Sequence, residues 1–290
     1  MFTYLIPCRN NAELLEDTLN SIHFDNEFVD EVIVIDDYSD QFISSSISFK
    51  HDKLNIYRNK SKPGLTSALN YGIDKVKSIY VLRMDSDDLD LPTRISTTIQ
   101  ALKDYPNADI LSFAKEDFPN KNITNVHWSS DNELRTLLTF GNPLYHPTTC
   151  LKTRLLSELR YVDFHTLAGN TILGGEDYLL WCRAFLSGAE IRNIPQVVIR
   201  YRIWSGQVSK IRNKPDVAAY ISQWFETSNN NLRSELWYLF KFCYYDKERR
   251  KNKEVRNFLD TVIRRRFHMA TSFKKPFWVI FYALNKLFSE

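Results

Sequence analysis

Hydrophobic residues in the first half of the chain recur with two different periods. Short β-branched or aromatic segments bounded by Asp, Asn or Pro predict strands. These segments are FTYLIP (2–7), EVIVID (31–36), LNIYR (54–58) and IYVLRM (79–84). Between them, apolar side chains recur at helical spacing in NAELLEDTLNSI and in PGLTSALNYGIDKV. Strands that alternate with helices predict a parallel sheet in an α/β domain.

The second half of the chain adds three further segments and a helical end. The segment GGEDYLLWCRAFLSG (174–188) predicts a helix whose apolar face includes Trp181. The other two segments are HPTTCLKTRLL (146–156) and VVIRYRIWSGQVSK (197–210). Residues 215–290 are predicted to be mainly helical, aromatic and, at the end, basic.

Charge is distributed unevenly along a chain of ordinary globular composition. Hydrophobic residues make up 43% and charged residues 25% of the 290 residues, and the formal net charge is +3. Residues 231–290 carry 14 basic against 6 acidic side chains, so residues 1–230 carry 24 basic against 29 acidic ones. This asymmetry indicates a site for a cationic ligand in the body and an anionic partner for the tail.

Cysteine spacing and hydropathy exclude several classes of protein. The four cysteines are far apart and form no CxxC pair, which disfavours a zinc site. The first residues, MFTYLIPCRNN, lack the basic and apolar regions of a secretory signal. No apolar run approaches the roughly 18 residues of a membrane-spanning helix. We therefore expect a cytoplasmic protein with reduced thiols.

An acidic cluster follows the fourth predicted strand, in YVLRMDSDDLDLP (80–92). Alternate residues at a strand end share a face, so Asp85 and Asp87 are predicted to point into one crevice and to bind a divalent cation such as Mg²⁺ or Mn²⁺. The alternative is a solvated acidic turn in which Asp90 helps to start the next helix. A second acidic turn, at Asp36 and Asp37, ends a neighbouring strand and favours the metal. These two residues could themselves form an Asx-type turn that closes the strand, or accept hydrogen bonds from a nucleoside base or ribose.

Glu176 and Asp177 begin the predicted helix of the second half, directly after two glycines. Acidic side chains at this position complement the helix dipole, which is one explanation for them. The other is catalytic, because glycines permit the close approach of a ligand and a carboxylate there could act as a general base toward a hydroxyl. The residues alone leave both explanations open.

In their order and spacing these segments resemble glycosyltransferase family 2 of the bacterial surface-polysaccharide type, which has the GT-A fold. The resemblance spans about residues 2–210. It rests on IPCRNNAELLEDTLNSI, EVIVIDDYSD, NKSKPGLTSALNYGI, VLRMDSDDLDLPTR, HPTTCLKTRLL, GGEDYLLWCRAF and RYRIWSGQVS. It implies a Rossmann-like α/β fold with a mixed, mostly parallel sheet flanked by helices.

The resemblance also implies domain boundaries. A GT-A domain would cover residues 1–212, with a nucleotide-binding half at about 1–105 and an acceptor half at about 106–212. Residues 213–290 would then form a helical, basic and aromatic C-terminal extension.

The resemblance assigns roles to individual residues. Asp177 would be the catalytic base with Glu176 as its neighbour. Asp85 and Asp87 would bind Mn²⁺ or Mg²⁺, with Asp88 close by. The residues implied in donor binding are Pro7, Arg9, Asn10, Glu13, Asp37, Lys62, Asp85, Ser86, Arg202 and Ser209. The residues implied in acceptor binding are His146 and Trp181. Lys62 and Arg58 could equally be solvated surface charges.

Two positions depart from the family pattern. The family often has Tyr where this chain has Arg9, and it has His where this chain has Trp204. Because that His often helps to bind the metal or the diphosphate, either the metal keeps an extra water here or His146 compensates.

The function implied is that of an inverting, metal-dependent hexosyltransferase. It would move a sugar from a nucleotide-diphosphate sugar, with UDP expected, to a hydroxyl of a glycan or lipid-linked acceptor. A sugar nucleotidyltransferase is one alternative, although CRNNAE lacks the glycines that would bind a phosphate there. A non-catalytic nucleotide- or carbohydrate-binding module is another.

The tail raises a separate question, because residues 260–290 combine arginines and lysines with Phe, Trp and Leu. This composition favours peripheral contact with an anionic bilayer, at the inner face of the plasma membrane. A terminal helix packed on the body is the alternative. No RNA-binding motif is present, so we expect no nucleic-acid partner.

Overall fold

The computed structural model describes residues 1–124, 134, 138, 142–162 and 175–204. The strands are β1 (Phe2–Cys8), β2 (Val29–Asp36), β3 (Leu54–Arg58), β4 (Tyr80–Arg83), β5 (Leu89–Asp90), β6 (Ile110–Phe118), β7 (Ile123–Thr124), β8 (Cys150–Lys152) and β9 (Ile191–Arg202). The α-helices are α1 (Ala12–Ser21), α2 (Ile43–Ser46), α3 (Leu65–Ile73), α4 (Arg94–Asp104), α5 (Thr153–Leu159) and α6 (Glu176–Leu186). A short 3₁₀ helix covers His146–Thr148.

Within the described residues the strands form one mixed sheet in the order β3-β2-β1-β4-β8-β6-β9-β5, and β7 pairs with β6. The first four strands pair in parallel. Strand β8 is antiparallel to both β4 and β6, whereas β6 and β9 are parallel. The predicted α/β fold with a mixed sheet flanked by helices is confirmed. Each of the four predicted strands also lies within two residues of its observed bounds.

The two faces of the sheet carry separate hydrophobic clusters, because alternate residues of each strand point to opposite sides. Along β1, Tyr4 and Ile6 belong to the cluster that α1 and α4 cover. Leu5 belongs to the cluster that α3 and α6 cover. The result is a sheet between two layers of helices, which places the parallel strand ends at one open edge.

Helix α3 packs closely against the sheet at Gly72. A Cβ atom at this position would collide with the side chain of Leu5 and lie 3.0 Å from Cγ1 of Ile35. The absence of a side chain therefore sets the distance between this helix and β1 and β2.

Several predictions fall outside the described residues. They are the domain boundary at 212, the extension at 213–290, Ser209 and the membrane contact through 260–290. Among the described residues, no helix combines the length and the apolar character needed to cross a bilayer.

Candidate active site

Three carboxylates converge where the chain leaves β4. Ligand oxygens of Asp85, Asp87 and Asp88 all lie within 4.8 Å of one another. Asp85 and Asp87 are partly buried, and Asp88 is fully buried. The structure thus brings together the two carboxylates predicted to bind a metal, with Asp88 close to them as expected, and we call residues 85–88 the acidic turn.

The carboxylates of the acidic turn are held together against their mutual repulsion. Burial raises the pKa of Asp87, and the charge of Asp85 raises it further. Burial, then Asp85 and Asp87, raises the pKa of Asp88 well above its usual range. Among the described residues, Oδ2 of Asp88 has no hydrogen-bond partner although it is buried. A cation among these groups would remove both the repulsion and the unsatisfied oxygen.

The donor set of the acidic turn fits a hard divalent cation. Carboxylate oxygens are the ligands that Mg²⁺ and Mn²⁺ prefer in proteins. The residues that would hold the ion are Asp85 and Asp87, with Asp88 beside them.

The end of β9 is hydrogen-bonded to the acidic turn. The backbone N–H of Arg202 donates to Oδ1 of Asp88 at 3.0 Å, and its Nε donates to the carbonyl oxygen of Asp87 at 2.8 Å. The indole Nε1 of Trp204 donates to Oδ2 of Asp87 at 2.8 Å. Arg202 also pairs with Asp17 at 2.9 Å. The structure therefore places Arg202 and Trp204 directly beside the acidic turn, and a contact of Arg202 with the diphosphate stays a prediction.

A buried arginine that the sequence reasoning missed lies beneath the acidic turn. Arg83, the last residue of β4, is 3% exposed and forms an ion pair with Asp85. Burial on its own would lower the pKa of Arg83, but the neighbouring Asp85 raises it, so the guanidinium stays charged. The sequence pattern around Arg83 indicates only a strand. It did not indicate the ion pair, because the partner carboxylate of Asp85 lies beyond the end of that strand.

The predicted base, Asp177, lies in the first turn of α6 with both oxygens hydrogen-bonded. Its Oδ1 accepts from the backbone N–H of Tyr178 at 2.8 Å, and its Oδ2 accepts from Nδ2 of Asn142 at 2.7 Å. Burial raises the pKa of Asp177, and these two hydrogen bonds oppose the rise. Gly175 precedes the helix with φ of 81°, a conformation that glycine adopts without strain. Asn142 is a second residue that the sequence reasoning missed.

The two predicted acidic sites both influence the pKa of the Tyr161 side chain. Burial raises the pKa of the Tyr161 phenol, Arg83 opposes this, and the charges of Asp177, Glu176 and Asp85 raise it further. The acidic turn and the start of α6 therefore act electrostatically on the same buried hydroxyl.

The prediction that His146 and Trp181 bind the acceptor gains no support from the structure, because both side chains are buried. Trp181 is 0% exposed and packs in the core between α6 and the sheet. His146 is 6% exposed, and its Nε2 lies 2.7 Å from the hydroxyl of Tyr161. Burial, and then the charge of Arg83, lowers the pKa of His146 well below its usual range, so the imidazole is neutral. The group of possible metal-ligand atoms contains Asp85, Asp87 and Asp88 but not His146. The alternative that His146 replaces the family's His, where this chain has Trp204, therefore gains no support.

Asp37 is buried at the end of β2 and organises the loop that precedes α3. Its Oδ1 accepts from Nδ2 of Asn59 at 2.9 Å, and its Oδ2 accepts from the backbone N–H of Gly64 at 2.9 Å. Its own N–H donates to the carbonyl oxygen of Cys8 at 2.8 Å. Asp37 thus joins the ends of β1, β2 and β3, and a contact with a nucleoside stays a prediction.

The other predicted donor residues lie around the same strand ends. Pro7 is buried within β1, whereas Arg9, Asn10, Glu13 and Lys62 are exposed. Asn10 donates from its backbone to Ser39 and from Nδ2 to Asp40, which ties the ends of β1 and β2 together. The hydroxyl of Ser86 accepts from Nδ2 of Asn11 at 3.4 Å.

Arg58 has a structural partner rather than a free charge. Its Nη1 lies 2.8 Å from Oδ2 of Asp36, which is fully buried, and its guanidinium lies over the rings of Tyr38 and Phe42. Arg58 therefore neutralises a buried carboxylate at the end of β2.

Comparison with known proteins gives this site a family. The family model described as Glycosyl transferase family 2 matches residues 3–157 of this chain. The amylovoran biosynthesis glycosyltransferase AmsE of Erwinia amylovora is 27% identical over 256 residues, which cover 83% of this chain and 92% of AmsE. The Escherichia coli UDP-Gal:α-D-GlcNAc-diphosphoundecaprenol β-1,3-galactosyltransferase is 28% identical over 216 residues, covering 71% of this chain and 74% of the relative.

Solved structures share the fold at low sequence identity. TarS 1–349 of S. aureus in complex with UDP-GlcNAc has a TM-score of 0.62 at 15% identity. The match covers 94% of this chain and 74% of the TarS chain. Glucosyl-3-phosphoglycerate synthase of Mycobacterium tuberculosis, in complex with Mn²⁺, UDP and phosphoglyceric acid, has a TM-score of 0.51 at 18% identity. The match covers 81% of this chain and 78% of the synthase chain. The family description matches more than half of the chain, so this protein belongs to glycosyl transferase family 2 and has the GT-A fold.

Proposed function

We propose that the protein is an inverting, metal-dependent hexosyltransferase that moves a sugar from a UDP-sugar to a hydroxyl of a glycan or lipid-linked acceptor in bacterial surface-polysaccharide synthesis. The observation that supports this most directly is the acidic turn, where ligand oxygens of Asp85, Asp87 and Asp88 lie within 4.8 Å of one another. Nε of Arg202 donates a hydrogen bond of 2.8 Å to the carbonyl oxygen of Asp87, so a positive charge lies beside these carboxylates. A divalent cation and Arg202 would together bind the leaving diphosphate there.

The relatives support the choice of donor and acceptor. The E. coli relative is named for UDP-Gal and for a diphosphoundecaprenol acceptor, and AmsE is named for amylovoran biosynthesis. The TarS structure contains UDP-GlcNAc, and the mycobacterial structure contains UDP and Mn²⁺.

On the donor side, the site would neutralise the charge that develops on the leaving diphosphate. Asp85 and Asp87 would hold a divalent cation, which supplies this neutralisation when bound. The Arg202 guanidinium lies beside the acidic turn and adds positive charge. The exposed residues Arg9, Asn10, Glu13 and Lys62, with Pro7, Asp37 and Ser86, would line the nucleoside side of the donor.

On the acceptor side, Asp177 would act as the general base. As the acceptor oxygen attacks the anomeric carbon, its proton passes to a carboxylate oxygen of Asp177. The bond between the anomeric carbon and the diphosphate oxygen breaks on the opposite face, and the electron pair leaves with the nucleotide. One such displacement inverts the configuration, as in inverting glycosidases. Asn142 and the Tyr178 N–H hold the carboxylate in place, and Glu176 lies next to it.

The proposed organisation keeps the catalytic GT-A domain within residues 1–212 and assigns membrane contact to the extension at 213–290. Basic and aromatic residues between 260 and 290 would bring the domain to the inner face of the plasma membrane, where a lipid-linked acceptor lies.

A donor screen tests the proposal. The purified protein is incubated with UDP-, GDP- and dTDP-sugars, with and without Mn²⁺ and an undecaprenyl-diphosphate glycan, and the released nucleotide is measured. We expect UDP release that needs both the metal and the acceptor, and an inverted anomeric configuration in the product by NMR. In a parallel incubation with a nucleoside triphosphate and a sugar 1-phosphate, release of pyrophosphate would indicate a nucleotidyltransferase. Binding of nucleotide sugars without any release would indicate a non-catalytic module.

A further inference from the structure

The Trp204 side chain contacts the acidic turn in a way that the proposed reaction does not use. We propose that Trp204 is a positioning residue whose indole N–H fixes the carboxylate of Asp87 and so keeps the acidic turn ready for a divalent cation. This inference rests on the proposed function, in which Asp85 and Asp87 hold that cation.

Each carboxylate of the acidic turn has a donor that opposes its repulsion from the other two. Asp85 is paired with the buried Arg83, and Asp88 accepts from the backbone N–H of Arg202. Both of these donors are fixed by the sheet. Asp87 accepts from Trp204, whose side chain is 36% exposed and begins beyond the end of β9. The position of Asp87 therefore depends on a side chain that a conservative substitution can change without disturbing the sheet.

The chemistry of the indole decides how Trp204 acts. An indole N–H donates a hydrogen bond and offers no lone pair to a metal, so Trp204 cannot be a ligand itself. Its bond of 2.8 Å occupies one lone pair of Oδ2 and fixes the rotation of the carboxylate. Hydrogen bonds to ligating carboxylates orient them, and losing such a bond typically weakens metal affinity by about 10- to 100-fold.

Trp204→Phe keeps an aromatic ring at this position and removes the donor. We expect Mn²⁺ affinity to fall about tenfold, the lower end of that range, because Asp85 and Asp88 keep their own partners. The metal-free variant should stay folded, with a circular dichroism spectrum like that of the wild type, because Trp204 lies outside the two hydrophobic clusters.

Mn²⁺ binding to the full-length protein without nucleotide tests the inference, with free Mn²⁺ measured by electron paramagnetic resonance. The variants are Trp204→Phe, Asp87→Ala and, as a matched control, Tyr38→Phe. Tyr38→Phe removes a hydrogen bond from another aromatic side chain, to the carbonyl oxygen of Ser61. A tenfold loss in Trp204→Phe, with a larger loss in Asp87→Ala and none in Tyr38→Phe, supports the inference.

The outcomes separate this inference from the proposed metal site. Wild-type affinity in Trp204→Phe, with a loss in Asp87→Ala, overturns the role of Trp204 and leaves the metal site standing. Wild-type affinity in Asp87→Ala overturns the metal site and the inference with it. As a second readout, bound paramagnetic Mn²⁺ should quench the emission of Trp204, so saturating Mn²⁺ should quench wild-type emission more than that of Trp204→Phe. Equal quenching in the two proteins also overturns the inference.

Discussion

Nη2 of Arg94 donates a hydrogen bond of 2.7 Å to the backbone carbonyl oxygen of Arg83, two residues before the acidic turn's first carboxylate. The same nitrogen donates to the carbonyl oxygen of Pro147 at 3.2 Å, and Nη1 lies 3.2 Å from Oδ1 of Asp90. Asp90 also accepts from the hydroxyl of Tyr4 at 2.7 Å. Arg94 thus connects β4, β5 and the 3₁₀ helix beneath the candidate active site.

Arg94→Ala is expected to lower the free energy of unfolding by about 3–5 kcal/mol, because it leaves the buried carboxylate of Asp90 without its cation. Urea denaturation measures the change. Arg154→Ala is the matched control, because Arg154 and Glu158 are also four residues apart but largely exposed. This control should cost less than about 1 kcal/mol, and an equal loss in both variants would contradict the structural role of Arg94.

Asp85→Ala and Asp87→Ala should each abolish the Mn²⁺-dependent part of UDP binding, because each removes a ligand charge beside the diphosphate. Calorimetry of UDP with and without Mn²⁺ measures this. Asp52→Ala, at an exposed turn before β3, should bind as the wild type does. Metal-enhanced binding that survives in both active-site variants would refute the assignment of the acidic turn.

Asp177→Asn should preserve donor binding and reduce turnover by roughly a hundredfold or more, because only the proton acceptor is lost. Steady-state kinetics and UDP calorimetry measure the two effects separately. Glu176→Gln serves as the comparison, since it changes the adjacent carboxylate in the same way. If Glu176→Gln is the slower enzyme, the base is Glu176.

The pH at which activity is lost on the acid side of the kcat/KM profile, its acid limb, should rise in Asn142→Ala. A base works in its ionised form, so activity is present above the pKa of Asp177 and is lost as the pH falls through it. Burial raises this pKa, and the Asn142 hydrogen bond counters the rise. Asn142→Ala should therefore move the limb to higher pH, as measured by kcat/KM against pH, while Asn107→Ala at an exposed turn should not. An unmoved limb in Asn142→Ala would remove Asp177 as the titrating group.

Truncation after about Arg266 should leave the catalytic body folded and release the protein from anionic liposomes. The basic side chains removed are worth about 1 kcal/mol each near anionic headgroups, and salt screens that attraction. Flotation of full-length and truncated protein at low and high salt measures the effect. Full-length protein that stays soluble, or a truncated body that unfolds, would make the tail a structural helix.

Local sequence patterns predicted the features that depend only on residues close together in the chain, which are secondary-structure elements and the acidic turn. Strands β1 to β4 and the helices α1, α3 and α6 follow from hydrophobic periods, and the acidic turn follows from consecutive residues, whereas β5 to β9 were not predicted. The partners of these groups lie far away in sequence. Asn142 is 35 residues from Asp177, and Trp204 is 117 residues from Asp87. No pattern within either segment indicates such a contact, because the order of the strands creates it.

Trp181 shows what a helical period leaves open about function. The helical pattern placed it on an apolar face, and the resemblance gave that face an acceptor role. In the structure, consecutive residues of α6, from Tyr178 to Cys182, are all buried, because the helix packs between the sheet and α5. Periodicity identifies the buried side of a helix, but it does not tell a core from the wall of a binding site.

The buried, unpartnered oxygen of Asp88 also has an evolutionary consequence. A fold that holds three carboxylates together, with an ion pair at Asp85 but a buried oxygen of Asp88 left without a hydrogen bond, gives up stability at that place. Replacing Asp88 by Asn should therefore make the metal-free protein harder to melt. Proteins often trade stability for activity in this way. Selection for heat tolerance alone, with no knowledge of the sugar or the acceptor, should therefore accumulate substitutions at the acidic turn and would locate the catalytic centre without an enzyme assay.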